Sequence, residues 1–122
     1  MTKRSDTRAT FLADVIIAAV EGGSGYWARI KDYSYGDRRG GGMYASAKFW
    51  DGADGELPTW VTVNAERVVA GLKRIKDPAF QIRSDLRALI LGADVESDAS
   101  NIDTEAADVI VQAGLFGQIV YG

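Results

Sequence analysis

The residues best suited to ligand chemistry in this 122-residue chain are flat rings and cations set among glycines. They are Trp27, Tyr35, Arg38, Arg39, Lys48 and Trp50, with Tyr26 and Tyr33 beside them. A nucleotide or a single-stranded nucleic acid asks for rings to stack on, guanidinium groups for phosphates and a backbone that lets both approach. The run Gly40-Gly41-Gly42 supplies such a backbone, but no GxxxxGK[ST] or GxGxxG pattern marks a phosphate loop or dinucleotide fingerprint. A competing reading needs no ligand: aromatic residues favour strands whatever the function, and Arg38-Arg39 then forms a solvated turn.

Other chemistry is narrowed by composition. The chain has no His and no Cys. Ser-His-Asp and Cys-His nucleophile systems, Cys/His zinc sites, disulfides and iron–sulfur ligation are therefore excluded. Asp51, Asp54 and Glu56 are the carboxylates closest together in a turn, where acidic residues are expected without any catalytic role. Asp94 to Glu105 places acids at positions 1, 3, 5 and 12, as a calcium-binding loop does. Ala99 stands where the sharp turn needs Gly, so a helix end, a polar loop and an Asp103/Thr104 cap explain the segment better. Arg67, Lys73, Arg74, Lys76, Arg83 and Arg87 form basic helix faces, read as solvated surface in preference to a phosphate contact. No metal and no cofactor is expected.

Positioning these residues requires a set of elements that the pattern predicts as one α+β domain over residues 1–122. Phe11, Val15, Ala19 and Leu12, Ile16, Val20 form two adjacent rows, so a broad-faced helix runs from about Asp6 to Val20. Ser5 or Asp6 caps its start and Gly22-Gly23 ends it in a left-handed turn. Tyr26–Ile30 and Met43–Trp50 read as strands joined by a long glycine-rich tip over 33–42, and Thr59–Val63 as a third. Asn64 caps a helix over 65–76, which Asp77-Pro78 breaks. Further helices follow over 84–93 and from Asp103 or Thr104 onward. The expected fold is thus an N-terminal helix, a three-stranded antiparallel meander and three helices on one face of the sheet.

Charge is uneven along this order. All 14 basic residues lie within 1–93, whereas 94–122 carries six acidic residues and no basic one, inside a net of −3. Such asymmetry predicts either two opposed surfaces or an acidic end that neutralises basic helices. No segment reaches the roughly 20 apolar residues of a membrane span, and a cytoplasmic protein is expected. The apolar end Leu115–Tyr121 reads as a subunit contact or as a docked terminal segment, and a homo-oligomer is the expected assembly.

The segments Phe11–Val15, Glu21–Ala28, Asp103–Gln112 and Phe116–Gly122 resemble small hypothetical proteins of actinobacterial phages, plasmids and other mobile elements. The resemblance implies a compact accessory protein that counters host defence, and it carries over no catalytic residue. The expected function is therefore non-enzymatic binding, by sequestering a nucleotide signal or by blocking a host defence protein. The alternatives are a carboxylate-dependent enzyme acting on a nucleotide or glycan, or a DNA-binding accessory regulator. Duplex DNA is the less favoured ligand.

Overall fold

The computed structural model describes residues 5–122 and has the α+β order that the pattern predicts. Helix α1 (Asp6–Ala18) runs into a π-helical turn (Ala19–Gly23). Strands β1 (Arg29–Asp37), β2 (Met43–Trp50) and β3 (Val61–Val63) follow, then helices α2 (Ala65–Lys76), α3 (Ser84–Glu96) and α4 (Thr104–Phe116). The strands form an antiparallel meander in the order β1-β2-β3. Among the described residues no helix is long and apolar enough to cross a membrane.

Period-two alternation in β2 decides which face is covered. Ala45, Ala47 and Phe49 are buried, whereas Tyr44 and Lys48 are exposed and Ser46 and Trp50 half-buried. Helix α1 packs on the buried side, where two alanines leave room for its backbone to come close. Phe11, Leu12, Val15 and Ile16 are buried together, because α1 is held between the sheet and the helices behind it. Helix α2 lies beside α1, and α4 packs against α2 and the π-helical turn. The result is sheet, then α1 with α2, then α4, with α3 against α2. Among the described residues none packs over the outer sheet face, where Arg29, Lys31, Tyr44 and Lys48 are exposed.

Two close approaches fix this stack. Gly71 of α2 and Gly114 of α4 meet backbone to backbone: a Cβ on Gly71 would lie 2.2 Å from the Ile110 carbonyl oxygen, and one on Gly114 2.4 Å from that of Arg67. No larger residue fits either place without pushing the helices apart. At the end of α1 the structure corrects the expected left-handed cap. Neither Gly22 nor Gly23 has a positive φ; the chain widens into a π turn, and Gly23 lies against the Thr104 carbonyl. Widening there brings Ser24 onto α4, where its hydroxyl donates to Asp108 at 2.8 Å.

Other boundaries also differ, and β3 begins at Val61, two residues after the expected Thr59. Strand β1 begins at Arg29 and runs to Asp37, so Tyr33 and Tyr35 lie within a strand and the tip shrinks to residues 38–42. A β-bulge makes this extension work: Asp32 and Tyr33 together face Ala47 across the ladder, and Asp32 takes φ 54°. The third helix continues three residues beyond Ala93 before Ser97 closes it at φ 51°. Its first turn has no side-chain cap, so Ser84 is the first helical residue. Helix α2, by contrast, spans the predicted 65–76, with Asn64 accepting from the Arg67 N–H at 3.2 Å. Helix α4 passes through Gly114 and ends where Gly117 turns left-handed at φ 74°.

Candidate functional site

The open sheet face collects rings and cations through the register of the three strands. Pairing sets Arg29 opposite Trp50 and Lys31 opposite Lys48, with Thr62 on the other side of Lys48, while Trp60 lies beside Trp50 one step before β3. Trp50 and Trp60 meet with ring centroids 5.7 Å apart, tilted by 44°. The Arg29 guanidinium lies 5.6 Å from the Trp50 ring and the Lys31 ammonium 4.3 Å from the Trp60 ring, both in cation–π range. Trp50 is also fixed at its polar edge, where Nε1 donates to the Leu57 carbonyl at 3.1 Å. Lys48 pairs loosely with Asp32 of the bulge at 3.7 Å, both side chains exposed. At the far end of the same face Tyr44 and Ser34 share a 3.0 Å hydrogen bond.

Of the six residues singled out from sequence, the structure brings Lys48 and Trp50 to this face. Arg38 and Arg39 sit at the hairpin tip, where Arg38 Nε donates to the Gly41 carbonyl at 3.0 Å. Tyr35 is on the helix side of β1, across from Ala45, and leans on Tyr33 with centroids 5.3 Å apart. Trp27 lies elsewhere, stacked on Tyr121 at 5.1 Å and 6° and flanked by Phe49 and Phe116. Arg29, Lys31, Trp60 and Tyr44 complete the open face and were not singled out. Alternation within each strand was the signal, but lining up β1 with β2 needs the bulge, which moves Arg29 and Lys31 by one residue.

A second polar cluster lies inside. Asp108 of α4 is buried, and its carboxylate accepts from Ser24 Oγ (2.8 Å), Tyr26 OH (2.8 Å), Trp27 Nε1 (2.7 Å) and Gln112 Nε2 (2.9 Å). Four donors compensate the desolvation of this charge. Gln112, one turn on, is fully buried. Its amide donates to the Tyr121 carbonyl at 3.0 Å and its oxygen accepts from the Val120 and Tyr121 N–H groups at 2.8 Å each. The C-terminal segment is therefore docked on its own domain, one of the two roles its apolar sequence predicted. Burial, then the hydrogen bond to Asp108, pushes the Tyr26 hydroxyl up to about 12.

The remaining candidates are held by structural partners. Asp51 accepts from the Glu56 and Leu57 N–H groups (2.7 and 3.0 Å) and from the Tyr121 hydroxyl (2.6 Å). Burial opposes its ionisation, but these hydrogen bonds together keep its pKa below the ordinary carboxylate value. The calcium-loop pattern falls partly on helix, since Asp94 and Glu96 belong to α3 and Glu105 to α4. Asp94 is buried against Arg8 (2.6 Å) and Lys76 (3.7 Å), Asp103 caps α4, and Glu105 meets Arg83 at 3.1 Å. Among the described residues no group of three acids is placed to hold a metal ion. Arg74 donates to the Ala113 and Gly114 carbonyls and Arg87 to that of Phe80, so the basic helix faces largely serve helix ends and ion pairs. Asp94 and Glu105 of the acidic segment thus pair with cations on the helical side, while Arg29, Lys31 and Lys48 lie on the sheet side.

Comparison of the chain with protein-family models, with curated proteins and with solved structures gives no match.

Proposed function

We propose that this chain is a non-enzymatic binding protein whose open sheet face takes a ligand made of bases and phosphates. The observation that carries the reading is the placement of Trp50 and Trp60 side by side with Arg29, Lys31 and Lys48 on the face that no described helix covers. Each ring offers a π-face to a base, and each cation offers a charge to a phosphate. The cations already lie against the rings, so a stacked base and its phosphate meet groups gathered in advance. The bond from Trp50 to Leu57 holds one ring in orientation before any ligand arrives. Ion pairing on the helical side leaves the sheet side as the more cationic surface, which favours approach of an anion from there.

In the mobile-element setting implied by the sequence resemblance, such a face sequesters a nucleotide or nucleic-acid signal. An enzymatic reading has less support, because Asp51 and Asp108 each fill their acceptor positions with structural donors. Tryptophan fluorescence and calorimetric titration with nucleotides and short oligonucleotides at low salt test the proposal. Saturable quenching is expected, weakened at least tenfold in Lys31→Glu. The absence of binding to every base-and-phosphate ligand at low salt would overturn it.

A further inference from the structure

Resting on that reading of the same face, we infer that the ligand is an extended single strand of nucleic acid and not a free nucleotide. Three features point this way. First, the rings are spread out. Tyr44 and Trp50 both lie on the outer side of β2, six residues and therefore about 20 Å apart. One nucleotide cannot span that separation, whereas a strand of several can. Second, Trp50 and Trp60 lean against each other at 44° and do not face across a gap, so no slot takes one base between two rings. Each ring is built to stack a separate base. Third, the tryptophans do not line the cavity beside this sheet. Small free ligands favour concave sites. The cavity of about 310 Å³ at the other end of β2 is lined by Ala9, Ala13, Met43 and Tyr44 among others, and not by Trp50, Trp60 or Lys31.

The cations then set the path. Arg29, Lys31 and Lys48 occupy two adjacent rows beside the tryptophans, and the strand's phosphates pass over these rows as its bases fall on Trp60 and Trp50. Nothing in the arrangement reads base edges, because ring stacking and point charges are tolerant of sequence. A duplex is a poor fit, since its bases are stacked on one another and closed to the rings.

Fluorescence anisotropy decides the matter, using labelled oligothymidylates of four to sixteen nucleotides, a duplex of matching length and unlabelled mononucleotides as competitors. Affinity is expected to rise with length to a plateau, with mononucleotides competing at least a hundredfold less well. Three phosphate contacts give a slope of log K against log salt of about −2, and Lys31→Ala reduces its magnitude by about 0.7. Trp60→Ala is expected to weaken binding about tenfold or more. Lys73→Glu on α2, away from the sheet face, leaves binding unchanged. Arg29→Glu and Lys48→Glu replace exposed side chains, so their loss of binding does not depend on the tryptophan variants folding. Mononucleotides competing as well as the longest oligomer would overturn the single-strand inference and leave the base-and-phosphate reading in place. Equal affinity for the duplex, unaffected by Trp60→Ala, would also overturn it. No binding to any of these ligands overturns both.

Discussion

Two tryptophan clusters lie on opposite sides of one strand, and they differ in what holds them. Trp27 is enclosed by Phe49, Phe116 and Tyr121 and donates its N–H to the buried Asp108. Trp50 and Trp60, on the outer face, are flanked by Arg29 and Lys31. Both clusters pair rings with charge, but the inner charge is an acid whose acceptor positions are filled by donors of the same domain. The outer charges are exposed cations that rest on ring faces or on the exposed Asp32. The inner cluster closes the fold, and the outer one is the face to which the proposed ligand is assigned. Substitutions should therefore separate stability from binding along this line.

The largest effect is expected at Asp108. Its removal leaves the buried Ser24 hydroxyl and the Trp27 and Gln112 N–H groups without their acceptor. Asp108→Ala should cost about 3–5 kcal/mol in urea unfolding, since each buried unsatisfied group costs about 1–3 kcal/mol. A loss below about 1 kcal/mol would mean that the cluster is not the inner lock. Next comes Gln112, which holds both N–H groups of Val120 and Tyr121. Gln112→Ala should cost about 2–3 kcal/mol and speed hydrogen exchange at those two amides before the rest of α4 opens. Uniform acceleration across α4 would show that the terminal segment and the helix are one cooperative unit.

On the outer face the order reverses. Lys31→Glu and Lys48→Glu should shift unfolding free energy by no more than about 0.5 kcal/mol, because exposed charge contacts contribute little. On the proposed reading their effect falls on oligonucleotide binding, which should drop about tenfold at low salt and far less at high salt. Equal losses of stability and binding in these variants would erase the distinction between the two clusters.

How much of this was open to sequence reading depended on whether a local rule sufficed. Helix α2 was legible to the residue because Asn64 caps it and its apolar side recurs at helical spacing. Strand β2 was legible from alternation between two turn clusters. Strand β1 was not, because Tyr33-Ser34-Tyr35-Gly36 looks like a turn until a bulge at Asp32 pairs it with Ala45 and its neighbours. The open face suffered from the same cause: Arg29 and Lys31 join the tryptophans only when that register is known. Asp108 and Gln112 carried a usable signal. They are one turn apart in a helix with Ala106, Val109, Ile110, Val111 and Ala113 on every side, and such a helix cannot expose two polar residues without exposing its core. Trp27 carried no such signal, since its partners Tyr121 and Asp108 are over 80 residues away in the chain.

The smallest expected effect distinguishes the clusters by what perturbs them. The hydrogen bond to Asp51, followed by burial, pushes the Tyr121 hydroxyl up to about 12, against an ordinary value of 10.0. A raised folded-state pKa means that the folded protein holds this proton more tightly than the unfolded chain. The resulting stability is complete below pH 10 and is lost as pH rises toward about 12. Tyr26, on Asp108, moves the same way for burial and hydrogen-bonding reasons and adds to the same alkaline loss. Asp51 acts at the opposite limb: its lowered pKa gives stability that is present above the ordinary carboxylate value and disappears in acid. Thermal melts of Tyr121→Phe across pH 8–12 should show a shallower alkaline decline than the parent, and Asp51→Asn a shallower acid decline. An unchanged alkaline slope in Tyr121→Phe would place that loss elsewhere. The inner cluster should thus answer to pH at its extremes and barely to salt. The outer face should answer to salt, because counterions compete with an incoming phosphate for its Arg and Lys side chains.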